Sequence, residues 1–279
     1  MSYKSLFTVL TDKTLAGPAL DQAVELARKY DAHLDVLCLG VDRTQSGYYY
    51  AGANAIIMQE SITRAESEAK ELEAFAREKL GNADIRWATE DGVAQLADIG
   101  RHIAARARFS DLVIMPKPYG KEHGIELEPT VEAALFEGQT PVLVLPDAKP
   151  PLIDAKTILI GWNESAESLN AVRAALPLLK MAEIVRIVVI DPPIHSASRS
   201  DPGGLLSLFL ARHGVKTEID VLSKTLPRVS DVLMRHARDT NADLMVMGAY
   251  GHSRFRESIL GGATRNMLEQ APVHVFMAH

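Results

Sequence analysis

Two stretches of this 279-residue chain repeat each other in register, and that repeat limits the fold more than any single motif. Ser110-Asp111-Leu112-Val113-Ile114-Met115 leads to Tyr119-Gly120, and Ala242-Asp243-Leu244-Met245-Val246-Met247 leads to Tyr250-Gly251. The offsets are 243 − 111 = 132 and 251 − 120 = 131. Further on, Thr140-Pro141-Val142-Leu143-Val144 matches Ala271-Pro272-Val273-His274-Val275, where 272 − 141 is again 131. At the front of each half, Leu6 to Asp12 parallels Ile158 to Asn163 with an offset of 163 − 12 = 151. The first half therefore carries about 19 extra residues, placed between Val41 and Leu80, where the Tyr48-Tyr49-Tyr50 run precedes a long charged helix. Pro146-Asp147-Ala148-Lys149-Pro150-Pro151 reads as a linker, so the expected domains are 1–149 and 150–279.

Short apolar runs alternate with helical spacing in the second half. Strands are expected at 157–162, 184–190, 217–222, 243–247 and 273–277, and helices at 165–180, 203–213, 229–240 and 263–270. Near-continuous apolar strands separated by helices indicate a parallel sheet covered on both faces. The expected fold class is α/β: two tandem, open, doubly wound parallel sheets of five strands each. In such sheets ligands bind outside the carboxyl ends of the strands, where the strand order reverses.

Composition narrows the classes further. With 47% hydrophobic and 24% charged residues, disorder, collagen-like repeats and coiled coils are poor fits. The 30 basic and 36 acidic residues give a charge of −6, with no basic arm for nucleic acid. The start, MSYKSLFTVL, lacks the length and cleavage pattern of a signal peptide and reads as a first strand; no run approaches a membrane span. The lone Cys38 permits no internal disulfide and sits in an apolar run as core. A cytoplasmic protein that binds neither nucleic acid nor membrane is expected.

The residues after the fourth strand of the second half carry the chemistry. Gly248 and Gly251 are three apart, Gly261 follows ten later, and Gly262-Ala263-Thr264 opens a helix. Glycines allow close backbone approach, and free N–H groups at a helix start present partial positive charge to an anion. From spacing alone, a phosphate loop and a set of tight turns both remain open.

Met247-Gly248-x-x-Gly251, nine residues, then Gly261-Gly262-Ala263-Thr264 resembles the nucleotide-binding signature of universal stress proteins: G, two residues, G, nine residues, G, then Ser or Thr. The strand order, the Asp-Leu-Val-Ile-Met strand and the final Pro-Val-x-Val strand recur in each half, so the chain looks like a tandem member of that family. The resemblance implies an adenine nucleotide alpha hydrolase-like fold with the last strands of the two halves paired as an internal pseudo-dimer, open to further homodimerisation. It implies a stress-response protein that binds ATP (or AMP or ADP), with Mg as accompanying ion, and switches a protein partner. The phosphates would meet Gly248, Gly251, Gly261, Gly262, Ala263 and Thr264, and the base and ribose would meet Trp162, Asn163 and Val189, with Met247 bordering the crevice. His252, beside Gly251, is the nearest side chain for a phosphate; Arg254 and Arg256 fit a solvated loop equally well.

Two departures bear on affinity. Asn163 stands where ATP-binding members commonly have Asp, and Gly262 stands where they have Ser or Thr. The first half departs further: Pro116-Lys117-Pro118 replaces the first glycine, and Glu126, Glu128 and Glu132 oppose an anion, so that half is expected to hold no nucleotide. A different, phosphate-free ligand, or a structural role alone, remains open there. No positioned nucleophile, metal carboxylate or P-loop lysine accompanies the glycines, so no catalytic residue is assigned and at most slow ATP hydrolysis is expected. Two competitors stand beside the switch: a scaffold on the same fold that binds no nucleotide, and an adenylate-using enzyme on a similar sheet.

Overall fold

The computed structural model describes residues 2–43, 53–121, 123–147, 149–192, 200–249 and 262–279, and the chain divides into two compact units, Tyr3–Thr140 and Pro141–His279. The Tyr48–Tyr50 run lies outside the described residues.

The first unit is built on four parallel strands, β1 (Ser5–Leu10), β2 (His33–Asp42), β3 (Arg86–Gln95) and β4 (Leu112–Pro116), in the order β3-β2-β1-β4. Helices α1 (Lys13–Tyr30), α2 (Ala53–Leu80), α3 (Ile99–Ala107) and α4 (Leu127–Glu132) make the crossovers, with α4 running into a π-helical turn at Ala133–Glu137. The strands read as nearly unbroken Leu, Val and Ile because both faces are covered; Leu6, Leu34, Leu112, Val113 and Ile114 are fully buried.

The second unit repeats the plan. Strands β6 (Thr157–Gly161), β7 (Ile184–Ile190), β8 (Thr217–Leu222), β9 (Leu244–Gly248) and β10 (His274–Ala278) are mutually parallel, in the order β10-β9-β6-β7-β8. Their crossovers are α5 (Ala166–Leu179), α6 (Gly204–Arg212), α7 (Val229–Asp239) and α8 (Ala263–Gln270). Strand β5 (Val142–Leu145) sorts with this unit because it pairs antiparallel with β10, Val144 opposite Val275, which covers an edge that would otherwise expose unpaired backbone groups. No helix among the described residues is long and apolar enough to cross a membrane.

The repeated Asp explains the shared register. In the first unit the Asp111 carboxylate accepts the Lys4 and Ser5 N–H groups at 2.6 and 3.0 Å. In the second, Asp243 accepts the Lys156 and Thr157 N–H groups at 2.7 and 3.0 Å. Each carboxylate thus fastens the amino end of the strand beside its own, and the Asp111 and Asp243 N–H groups donate back to Ser5 and Thr157 at 2.8 and 2.9 Å. The units differ most in the crossover after their second strand: α2 has 28 residues and α6 has 9, a difference of 19. That is where the extra length of the first half is located. Gly40 lets α2 come close, since a Cβ there would lie 1.8 Å from the Ala65 carbonyl oxygen.

Candidate functional site

Parallel register gathers the expected site residues of the second unit at the carboxyl ends of its strands. Gly161 at the end of β6 lies opposite Val188 of β7 on one side and Met247 of β9 on the other. This is the point where the chain winds outward in two directions from β6, the position at which open parallel sheets hold their ligands. Because β9 and β10 are parallel, α8 runs back from the carboxyl ends, and Gly262, Ala263 and Thr264 at its start stand on the same side of the sheet as Gly161 and Gly248. Gly251, His252 and Gly261 lie outside the described residues, as do Ser253, Arg254, Arg256 and Glu257.

The structure gives each described residue a local reason. Gly248 closes β9 against the first turn of α5: a Cβ there would sit 2.6 Å from the Ser168 nitrogen and 2.8 Å from the Glu167 carbonyl carbon. The need for glycine at this position is set by a helix backbone. Ser168 is fixed in turn, since its N–H donates to the Ser165 hydroxyl at 3.1 Å, capping α5. Asn163 is exposed, and its Oδ1 accepts the Ser165 N–H at 3.2 Å, an Asx turn into the same helix. The matching Asp12 of the first unit caps α1, accepting the Thr14 and Leu15 N–H groups at 2.7 and 3.2 Å. Trp162 is half-buried, with its backbone N–H donated to the Val188 carbonyl at 3.0 Å. Val189 is buried, its methyl group close to Gly203, which starts α6 at φ +83°.

Met247 and Thr264 are buried, while Gly262 and Ala263 are half-buried. Gly262 precedes α8 with φ −56° and ψ 157°, a backbone open to any residue, and as glycine it brings no side-chain cap of its own. Arg265 pairs along α8 with Glu269 at 3.0 Å. Asp191 ends β7 at φ 44° and accepts the Lys224 N–H at 3.1 Å, a turn-holding role. The chemistry on offer among these residues is hydrogen bonding and stacking at the strand ends, from the Asn163 amide and the Trp162 ring. Among the described residues, no group of three or more His, Cys, Asp or Glu is placed to hold a metal ion.

The first unit has the equivalent crevice as a cavity of about 420 Å³ lined by Thr11, Asp12, Arg43, Glu68 and Glu126 among others. The three glutamates expected to repel phosphate behave individually. Glu126 is fully buried and held by both forks of the Arg43 guanidinium, at 2.7 and 3.2 Å. That hydrogen bond holds the Arg43 guanidinium above the ordinary arginine range. Glu128 accepts the Tyr119 hydroxyl at 2.6 Å. Glu132 is half-buried in α4. Sequence reading missed Arg43, which lies 83 residues from Glu126; nothing in local spacing links the two.

Each unit is thus built on an open, mostly parallel α/β sheet, and the first has a cavity beyond the carboxyl ends of its strands. The family model described as the universal stress protein family matches residues 155–279, most of the second unit. Universal stress protein Slr1230 of Synechocystis sp. (strain ATCC 27184 / PCC 6803 / Kazusa) is 28% identical over 97 residues, 32% of this chain and 33% of that protein. The match therefore spans about a third of that relative's length. Universal stress protein Sll1654 of the same organism is 27% identical over 132 residues, 44% of this chain and 84% of that protein. A crystal structure of a universal stress protein from Archaeoglobus fulgidus DSM 4304 has a similar fold over 98% of this chain and 95% of its own, with a TM-score of 0.75 and 15% identity. A functionally unknown protein from Pseudomonas aeruginosa PAO1 follows the same fold over 99% of this chain and 92% of its own, with a TM-score of 0.58 and 15% identity.

Proposed function

We propose that the chain is a tandem universal stress protein whose second unit binds ATP, or a related adenine nucleotide with or without Mg, and whose occupied state is read by a protein partner. The observation that carries this reading is the match of residues 155–279 to the family model, together with Gly248-x-x-Gly251 and Gly261 in sequence between β9 and α8. In this reading the N–H groups at the start of α8 face phosphate, and Trp162 and Asn163 border the base and ribose. A switch needs only different affinities for two conformations, so it requires no catalytic residue. Domains bounded near residue 149 and a cytoplasmic location accompany the proposal.

Two observations favour the scaffold alternative. Asn163 spends its Oδ1 on the Ser165 N–H, and Gly248 is required by the approach of α5, so neither residue by itself demands a nucleotide. The deciding experiment is mass spectrometry of small molecules released from the denatured, purified chain, with ATP titration of the wild type and of Gly251→Asp. Co-purified or titratable adenine nucleotide, one per chain and lost in the variant, is expected. No binding up to millimolar ATP would replace the switch with the scaffold.

A further inference from the structure

In the first unit an arginine fork holds a buried carboxylate that belongs to the chain. The Glu126 side chain is only 1% exposed and lies against the Arg43 guanidinium, whose remaining nitrogen reaches Glu68 at 3.3 Å. Gly124 is shaped to the carboxylate: a Cβ there would lie 2.2 to 2.4 Å from its three atoms. Thus one carboxylate is held by a bidentate fork on one side and lies in the space beside Gly124 on the other, which a Cβ at that position would enter. Arg43, Gly124 and Glu126 all line the cavity of about 420 Å³, so the fork is reachable from solvent beside its present partner. The Thr11 hydroxyl on the same wall is buried without a hydrogen-bond partner among the described residues.

We propose that the first unit contains a latent site for a small oxyanion, formed by the Arg43 guanidinium and the space beside Gly124, and that Glu126 occupies it as an internal ligand. A carboxylate or phosphate presents the same paired oxygens to an arginine fork as Glu126 does. The native first unit is therefore self-occupied and indifferent to free anions, and the site opens when the glutamate carboxylate is taken away. This inference does not depend on nucleotide binding in the second unit.

Glu126→Ala in the full chain is the direct test, with thermal melting in sodium acetate or inorganic phosphate against sodium chloride at equal ionic strength. The variant is expected to melt below wild type and to recover saturably in either anion, by about 4 °C at ten times the dissociation constant. Arg43→Ala/Glu126→Ala is expected to lose that recovery, and wild type never to show it. Subtracting the double variant from the single one removes any anion effect on the second unit. Recovery with phosphate but not acetate would assign the site to tetrahedral oxyanions; recovery with both would assign it to oxyanions generally. Glu126→Gln, which keeps the volume of the side chain, guards against simple misfolding of the alanine variant. Equal responses with and without Arg43, or failure of both single variants to fold even with phosphate present, would overturn the proposal.

Discussion

Gly248→Ala separates a packing glycine from a ligand glycine. The added Cβ would lie 2.6 Å from the Ser168 nitrogen, and ordinary contact begins at 3.4 Å, so the end of β9 and the start of α5 must part by 3.4 − 2.6 = 0.8 Å. Backbone stands on both sides of this contact, so no side chain can rotate away. Overpacking of this kind costs about 1–3 kcal/mol. The displaced group is also the N–H that Ser165 caps at 3.1 Å, and loss of a cap costs about 1 kcal/mol more. Alanine returns about 0.5–1 kcal/mol by restricting the unfolded chain, which leaves a net loss of about 1–3.5 kcal/mol. The chain has 2 tryptophans, Trp87 in the first unit and Trp162 in the second, so Trp162 fluorescence in a Trp87→Phe background reports on the second unit. With a urea slope of about 2 kcal/mol/M, the midpoint is expected to fall by about 0.5–1.7 M without any nucleotide. Gly161→Ala is the control, since its Cβ would meet the nearest atoms at ordinary distances of 3.5 and 3.6 Å. A midpoint for Gly248→Ala within about 0.2 M of the control would refute the packing argument.

His274, at the start of β10, is held down to about 4 from its ordinary 6.5, first by burial and then by the charge of Lys149. Burial favours the neutral ring, so its contribution is whole above pH 6.5 and is lost as the pH falls from there towards 4, a total of about 3 kcal/mol. Urea midpoints of the second unit at stepped pH are expected to show that loss, and His274→Phe to flatten it; an unchanged slope in the variant would assign the loss to other groups. Burial, followed by the charges of Glu73 and Asp91, pushes the Cys38 thiol up to about 12. A disulfide reagent at neutral pH is expected to label Cys38 only as fast as the first unit opens, and complete labelling of the native chain within the mixing time would contradict this placement.

The sequence was most legible where one physical rule acted alone. The expected spans 184–190, 217–222 and 263–270 coincide with β7, β8 and α8, because apolar runs and helical spacing met no competing demand there. The ends of β6 and β9 were placed within a residue, since strand ends are decided by loop geometry as well as by polarity. Gly248 was legible as a special position, and its reason was not: the choice between a turn and an anion omitted the approach of α5, which no local spacing encodes. Asn163 likewise reads as a ligand contact by position and as an Asx turn by geometry. Arg43 and Glu126 were out of reach because an ion pair across 83 residues exists only once β2 and the segment after β4 have been brought together.

The paired carboxylates Asp111 and Asp243 make one further point about how such a chain changes. Both fasten the amino rim of their sheet with the same backbone partners, at distances that agree to within about 0.1 Å. At the opposite rim the two units part company: Asp12 against Asn163, Glu126 with Arg43 against the run of glycines. The amino ends of the strands are thus fastened alike in the two units, while their carboxyl ends carry different side chains. The two rims are held by separate contacts, so a substitution among the carboxyl-end residues removes none of the bonds that Asp111 and Asp243 make to the amino ends.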